Sequence, residues 1–424
     1  MNRRTVILLG AAVLASVLPP SLLAAAAGAP AQAALLGQVS GARAYQHVLA
    51  LSQKIGPHVA GTPADRTSAQ YIASQLRRDG YPVEWQAFPF AYFKVISVAL
   101  TVPSAPSLAL RPRAMEYSPS TPKSGMTAPV ADGGLGRPEE LAAAPVSGKI
   151  ALIARGGGLT FRQKAENAAV AGAVAVIIFN NQAGPLGGTL VHPTQIPVAS
   201  LAGDDGQKLL ALVRGRPVSA HLDIQTANEE RTTWNLIATK PGAREPHRAL
   251  VIGAHRDTVD GAPGANDNTS GVAVALELAE VLKDAPLGVT VRFVFFGAEE
   301  LGLFGSDYYV QHLGPDSIIG MVNLDMEGVG TRLEVANYRG SDTLVRTAAR
   351  IAAGLGIKVS ETHQDGSDHQ NFEKIGVPVV FLYRPDDPYY DTPSDTVDRV
   401  DPALLETSAR LALAIVLEVA GPGR

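Results

Sequence analysis

"RALVIGAHRDTVDGAPGANDNTSGVAVALELAEVLKDAPLGVTVRFVFFGAEE", residues 248–300, decides the fold. Ala249–Ala254 is an apolar run without polar alternation, the pattern of a strand buried on both faces. His255-Arg256-Asp257 follows, then a Gly/Asn/Asp turn containing Asp267, then a helical pattern from Ser270 to Asp284. A second apolar run starts at Val289 and gives way to Glu299-Glu300. Two further runs of strand length, "IIGMVNLDM" (318–326) and "VPVVFLY" (377–383), flank the helical pattern "LVRTAARIAAGLG" (344–356). Continuous apolar strands alternating with helices predict an α/β architecture: three layers, a mostly parallel or mixed sheet with helices on both faces.

In open α/β sheets the ligand crevice lies outside the carboxyl ends of the strands, and the chain's notable polar residues fall there. His255, Arg256 and Asp257 follow the first run, with Asp267 in the turn beyond. Glu299 and Glu300 follow the second, Asp325 the third, and Tyr390-Asp391 the fourth, in "DDPYYDTPSDTVDRV" (386–400). Singly these read blandly, Asp267 as a turn residue or N-cap and Glu300 as a surface helix acid. Together, four strands deliver one histidine and several carboxylates to one edge, a donor set suited to hard or borderline divalent cations. One carboxylate can bridge two ions about 3.5–4 Å apart. Adjacent Glu299 and Glu300 diverge, so one can bind metal while the other serves as general base. Asp257, two residues past His255, is placed to orient the imidazole.

Size and composition are those of a globular chain of two or three domains: 424 residues, 46% hydrophobic and 18% charged. A net charge of −4 without a dense basic run gives no case for nucleic acid. The absence of cysteine excludes disulfides, thiolate ligands, a cysteine nucleophile and a lipid-modified N-terminal cysteine. Residues 1–33 run from Arg3-Arg4 through an apolar stretch to Ala31-Gln32-Ala33, the order of a secretory signal cleaved after Ala33. Arg3-Arg4 suits a twin-arginine signal. The expectation is a secreted or periplasmic protein with no membrane span once the signal is removed. Oligomeric state leaves no trace in the sequence.

Between Ala44 and about Phe90 the pattern is helix, turn, helix, strand, with Ala69, Ile72, Ala73 and Leu76 on one helical face and Gly80 at its end. A Pro- and Ser-rich stretch at 101–130 marks a boundary. "GKIALIARGGGLTFRQKAENAAVAGAVAVIIFNN" (148–181) reads as strand, glycine turn, helix from near Thr160, and strand. No Gly-Lys-Ser/Thr ending follows the three glycines, so nucleotide binding is disfavoured. With "IPVASLAGDDGQKLL" beyond, residues 104–228 resemble the protease-associated domain, a small β-rich module inserted in several secreted peptidases. The resemblance implies a lid or substrate-positioning role.

"GAHRDTVDGAPGANDNTSG", "FFGAEELGLFGS", "VNLDM", "GSDHQNF" and "YYDTPSDT", in that order, resemble the secreted di-zinc aminopeptidases, which have the phosphorylase/hydrolase-like α/β fold. The domain so implied is discontinuous, 40–103 with 229–424. The resemblance implies peptide or protein substrates with a free N-terminus and two divalent ions, most readily zinc. His255 and Asp325 would hold one ion and Glu300 the other, with Asp267 between them, Glu299 as general base and Tyr390 on the developing oxyanion. Asp368 and His369 match a supporting "SDH" element and are not a ligand pair.

The chain departs from that family at Asp391, where a histidine normally completes the second site. Carboxylate oxygen also ligates zinc, but an all-oxygen set of Asp267, Glu300 and Asp391 tolerates Mn, Mg or Ca. A working two-metal site, a one-metal enzyme and an inactive homologue all remain open. Related carboxypeptidase or glutaminyl cyclase chemistry would use the same residues, and a non-catalytic binding protein would need none. A serine or thermolysin-like hydrolase is disfavoured, since neither G-x-S-x-G nor H-E-x-x-H occurs.

Overall fold

A computed structural model describes residues 31–314 and 316–422. The expected signal, 1–33, lies outside the described residues apart from its last three. The chain forms two compact units, one built from Phe88 and the residues before it together with Thr232 onward, the other from Pro89–Arg231.

In the first unit the predicted apolar runs are strands Glu245–His255, Val289–Phe296, Ser317–Leu324 and Val379–Tyr383. They lie side by side and parallel, in the order Val379–Tyr383, Ser317–Leu324, Glu245–His255, Val289–Phe296. Their carboxyl ends are in register: His255 pairs Phe296, Asn323 pairs Gly253, and Leu324 pairs Leu382. Antiparallel partners close both sides, the end of Ser219–Lys240 beside Val289–Phe296 and Leu333–Asn337 beside Val379–Tyr383. Val359–His363 extends the sheet, parallel to Leu333–Asn337.

Strand alternation sorts the core into two faces. Leu250, Ile252, Ala254, Phe293, Phe295 and Leu324 pack under helices Gly41–Val48, Pro63–Arg78, Thr269–Leu282, Thr343–Leu355 and Pro402–Ala420. Val251, Val294, Phe296 and Met321 face the other way, with Tyr309 and Phe372 from helices Phe304–Gln311 and His369–Lys374. The expected three-layer α/β sheet is therefore present. Helix Thr269–Leu282 is apolar nearly all round and buried nearly all round, as its composition requires. Its buried Glu277 accepts hydrogen bonds from Ser40 N–H and from the Arg43 guanidinium, which fastens helix Gly41–Val48 to it. Helix Pro63–Arg78 carries the predicted Ala69, Ile72, Ala73, Leu76 stripe and ends in Asp79 and Gly80, the latter at φ +88°.

The second unit is a mixed α/β body. Met126–Asp132, Ile150–Ala154, Ala175–Phe179 and Val198–Leu201 form a parallel sheet. The start of Ser219–Lys240 and Arg113–Ala114 pair antiparallel at its two sides. The helix expected near Thr160 is Phe161–Val170, with Thr160 and Gln163 capping each other's backbone N–H groups. Residues 104–228 fall within this unit. Among the described residues no helix is long and apolar enough to cross a membrane.

Candidate metal centre

The carboxyl ends of the four parallel strands open into a cavity of about 270 Å³. His255, Asp267, Glu299, Glu300, Asp325 and Tyr390 line it. Two sets of side chains converge there closely enough to share a cation. His255, Asp267 and Asp325 are one, and Asp267, Glu300 and Asp391 the other; within each, the donor atoms lie within 4.8 Å of one another. Asp267 belongs to both.

His255 Nε2 lies 2.9 Å from Asp267 Oδ1, 3.4 Å from Asp325 Oδ1 and 3.9 Å from Glu299 Oε2. Asp267 Oδ1, Asp325 Oδ1 and Glu300 Oε1 are nevertheless buried without a hydrogen-bond partner. Close approach without a bond is the arrangement of donors that a cation completes, because unpaired buried carboxylate oxygens are costly. The titration behaviour agrees. Burial pushes the Asp267 carboxyl up to about 7, helped by the charges of Asp325 and Asp391 and opposed by His255. Burial and neighbouring carboxylates drive Glu299 and Glu300 well above the ordinary glutamate value. Burial also raises Asp391, against its hydrogen bond with Tyr390. Burial pulls the His255 imidazolium down, but Glu299, Asp325 and Asp267 overcome it and hold it well above the usual histidine value. The site is short of positive charge, and the residues present fit divalent ions.

Three turns aim the donors. The Glu299 N–H donates to Asp257 Oδ1 at 3.0 Å, so the buried Asp257 carboxylate fixes the Glu299-Glu300 turn. Its expected bond to the imidazole is absent: Oδ1 stands 3.9 Å from His255 Nδ1, which instead faces the Asp257 carbonyl at 3.1 Å. Successive strand-like residues bring backbone as well as side chain to the ring, and here the backbone takes it. Asn268 stitches the Asp267 turn to the Asp325 strand, donating to the Leu324 carbonyl at 2.9 Å. Ala298, Met326 and Asp391 sit at positive φ, 56°, 64° and 56°, so the segments that carry Glu299-Glu300, Asp325 and Asp391 each hold a left-handed non-glycine residue.

Asp395 and Ser367, which sequence reasoning did not single out, hold ligand groups in place. Asp395, 1% exposed, accepts from the N–H groups of Asn266 at 2.8 Å and Asp267 at 3.0 Å, tying the Asp267 turn to the Tyr390-Asp391 loop. Ser367 donates to Asp325 Oδ2 at 2.8 Å and accepts from Asn323 Nδ2 at 2.8 Å. Asp368 is buried next to these groups with neither oxygen hydrogen-bonded. His369 stacks on Phe381 at 4.5 Å, its Nε2 facing the Gln364 carbonyl at 3.0 Å, and it belongs to neither donor set.

An α/β sheet whose parallel strand ends gather one imidazole and several underbonded carboxylates defines a candidate divalent-metal centre. The chain belongs to peptidase family M28, whose model matches residues 235–416, and the PA domain model matches 124–209. Aminopeptidase YwaD of Bacillus subtilis (strain 168) is 36% identical over 394 residues, covering 88% of this chain and 84% of the relative. Among solved structures, the aminopeptidase from Aneurinibacillus sp. strain AM-1 superposes with a TM-score of 0.79 at 33% identity, covering 92% and 96% of the two chains. BSAP, a zinc aminopeptidase from Bacillus subtilis, superposes at 0.67 and 33%, covering 91% and 96%.

Proposed function

We propose that this protein is an exported, metal-dependent aminopeptidase that removes N-terminal residues from peptides at a two-ion site. The observation that carries the reading is the pair of donor sets sharing Asp267, with unpaired buried oxygens on Asp267, Asp325 and Glu300. His255, Asp325 and Asp267 would hold a zinc ion; Asp267, Glu300 and Asp391 would hold the second, with zinc, Mn, Mg or Ca compatible with its all-oxygen donors. Bound there, the ions would polarise the scissile carbonyl and lower the pKa of the attacking water. Glu299 belongs to neither donor set and is the general base. Its carboxylate takes the water's proton as the oxygen adds to the carbonyl carbon, then passes that proton to the amine as the C–N bond breaks. Tyr390 lines the same cavity, and burial pushes its hydroxyl far above the ordinary tyrosine value. It therefore stays protonated and donates to the carbonyl oxygen as negative charge develops there. The substrate's free N-terminus would bind an exposed metal ion or the nearby carboxylates, which would make the enzyme an exopeptidase. Residues 104–228 serve as the protease-associated lid or positioning module, and residues 1–33 as the export signal.

The test is a panel of aminoacyl peptides with free and acetylated N-termini, assayed with protein purified without chelator. Cleavage of the free peptides alone is expected, abolished by chelation and restored by zinc. Cleavage of the acetylated peptides, or turnover that survives complete metal removal, would refute the assignment.

A further inference from the structure

Arg256 stands between His255 and Asp257 at the end of the central strand and is 1% exposed. Its neighbours serve the cavity, whereas its own guanidinium is held on the opposite side by a shell of partners that contribute no ligand. Nε donates to the Trp234 carbonyl at 3.1 Å, and Nη2 to that carbonyl and to Thr233 Oγ1, each at 2.8 Å. Nη1 donates to the Asp65 carbonyl at 3.1 Å and to Asp65 Oδ1, and the two side chains form a fully buried ion pair. Asp65 is anchored in turn. Its Oδ2 accepts from Gly61 N–H at 2.9 Å and from Thr233 Oγ1 at 2.8 Å, at the start of helix Pro63–Arg78.

Arg256 is also joined through its backbone to the segment that leads into the two glutamates. The Arg256 backbone N–H donates to the Phe296 carbonyl at 2.9 Å. A Cβ on Gly297 would meet Trp234 O at 2.8 Å, Thr233 Oγ1 at 2.9 Å and Arg256 Nη2 at 3.1 Å. Glycine is required there because this buried network fills the space a side chain would take. Arg256 thus ties the two strand ends by its backbone, while its guanidinium and Thr233 pack behind Gly297, the residue that opens the Glu299-Glu300 turn.

We propose that Arg256 and Asp65 are positioning residues for the metal centre: their buried pair sets the spacing between the His255 strand end and the Glu299-Glu300 turn, and hence metal affinity. The proposal rests on the two-ion reading above. A planar fork with five donors suits this task, since it joins the Asp65 and Thr233-Trp234 segments at once where a lysine would fix one. Groups behind a metal's ligands ordinarily control affinity by orienting those ligands.

The experiment compares full-length parent, Asp65→Asn, Arg256→Lys and Thr233→Val. Circular dichroism checks folding, chelator competition gives zinc dissociation constants, and the visible absorption of the cobalt-loaded protein reports ligand geometry. Peptide kcat and KM are measured on the same samples. Asp65→Asn and Arg256→Lys are expected to weaken zinc binding about 10–100-fold, shift the cobalt spectrum and lower kcat more than they raise KM. Should those two fail to fold, Thr233→Val removes one hydroxyl shared by Arg256 and Asp65 and is expected to weaken zinc binding about two- to twelvefold, the worth of one net hydrogen bond. Folded variants with parental zinc affinity and an unchanged cobalt spectrum would overturn the proposal and leave the pair a structural tie. A parent that binds zinc yet cleaves no peptide would refute the aminopeptidase reading, and the affinity comparison would still decide this one.

Discussion

Replacing Asp395 by Asn should loosen the metal centre without removing a ligand. The Asp395 carboxylate accepts two backbone N–H groups, 2.8 Å and 3.0 Å away, in a buried setting. Hydrogen bonds to a charged group contribute about 1.5–3 kcal/mol each. Asn keeps one acceptor oxygen and turns an NH2 group towards the other N–H, leaving that donor buried and unpaired. Burial works against the native ion too, since it pushes the Asp395 carboxyl up to about 6. Losing one such bond and leaving its donor unpaired, less this opposing effect of burial, gives a net loss of about 2–3 kcal/mol. For a unit of this size that lowers the midpoint of thermal unfolding by about 4–10 °C. Both tryptophans, Trp85 and Trp234, lie in the first unit with their rings 5.8 Å apart, so tryptophan fluorescence follows that unit alone. Metal affinity should fall about tenfold or more, because Asp267 and Asp391 lose their common tie. A midpoint within about 1 °C of the parent, corresponding to well under 1 kcal/mol, would refute this reasoning.

Removing the Ser367 hydroxyl in Ser367→Ala takes a hydrogen bond from Asp325 and leaves the Asn323 amide without its partner; zinc affinity by chelator competition should fall about 10–100-fold. Gly305→Ala would place Cβ 2.3 Å from the Gly297 carbonyl and 2.6 Å from Asn235 Oδ1, so the urea midpoint should drop by the equivalent of about 1–3 kcal/mol; an unchanged midpoint would show that the turn yields. His47 supplies a pH signature remote from the metal. Burial, reinforced by Arg78 and Arg43, lowers its imidazole to about 4, so the unfolded chain binds the extra proton between about pH 6.5 and 4. Its contribution is present above pH 6.5 and lost as pH falls to 4, about 3 kcal/mol in all. The stability difference between parent and His47→Gln, both metal-free, should shrink by that amount over this window in urea titrations. A difference independent of pH would contradict it.

The sheet was legible because its central strands are buried on both faces and write themselves as unbroken apolar runs, each ending at a polar residue that serves the cavity. Leu333–Asn337 and Val359–His363 were not, since "LEVAN" and "VSETH" are short, and the second is only half buried. The ligand candidates were readable for the same reason as the strands: each closes a strand or lies in the turn or loop that follows one. Their supports were not. Asp65 and Arg256 are 191 positions apart, and Asp395 caps a turn 128 positions away. No local pattern says which buried acid will meet which buried donor. Asp257 shows the limit within a motif, because alternation placed it near His255 but could not tell its carboxylate from its carbonyl as the group the ring meets.

The most direct test of the central claim is Glu299→Gln, assayed for metal content and peptidase turnover on one sample. Glu299 lies outside both donor sets, so the variant should retain about two metal equivalents per chain, as the two-ion site requires. Its kcat on a free N-terminal peptide should fall about 10²–10⁴-fold, the worth of a general base. Undiminished kcat with full metal content would contradict the account.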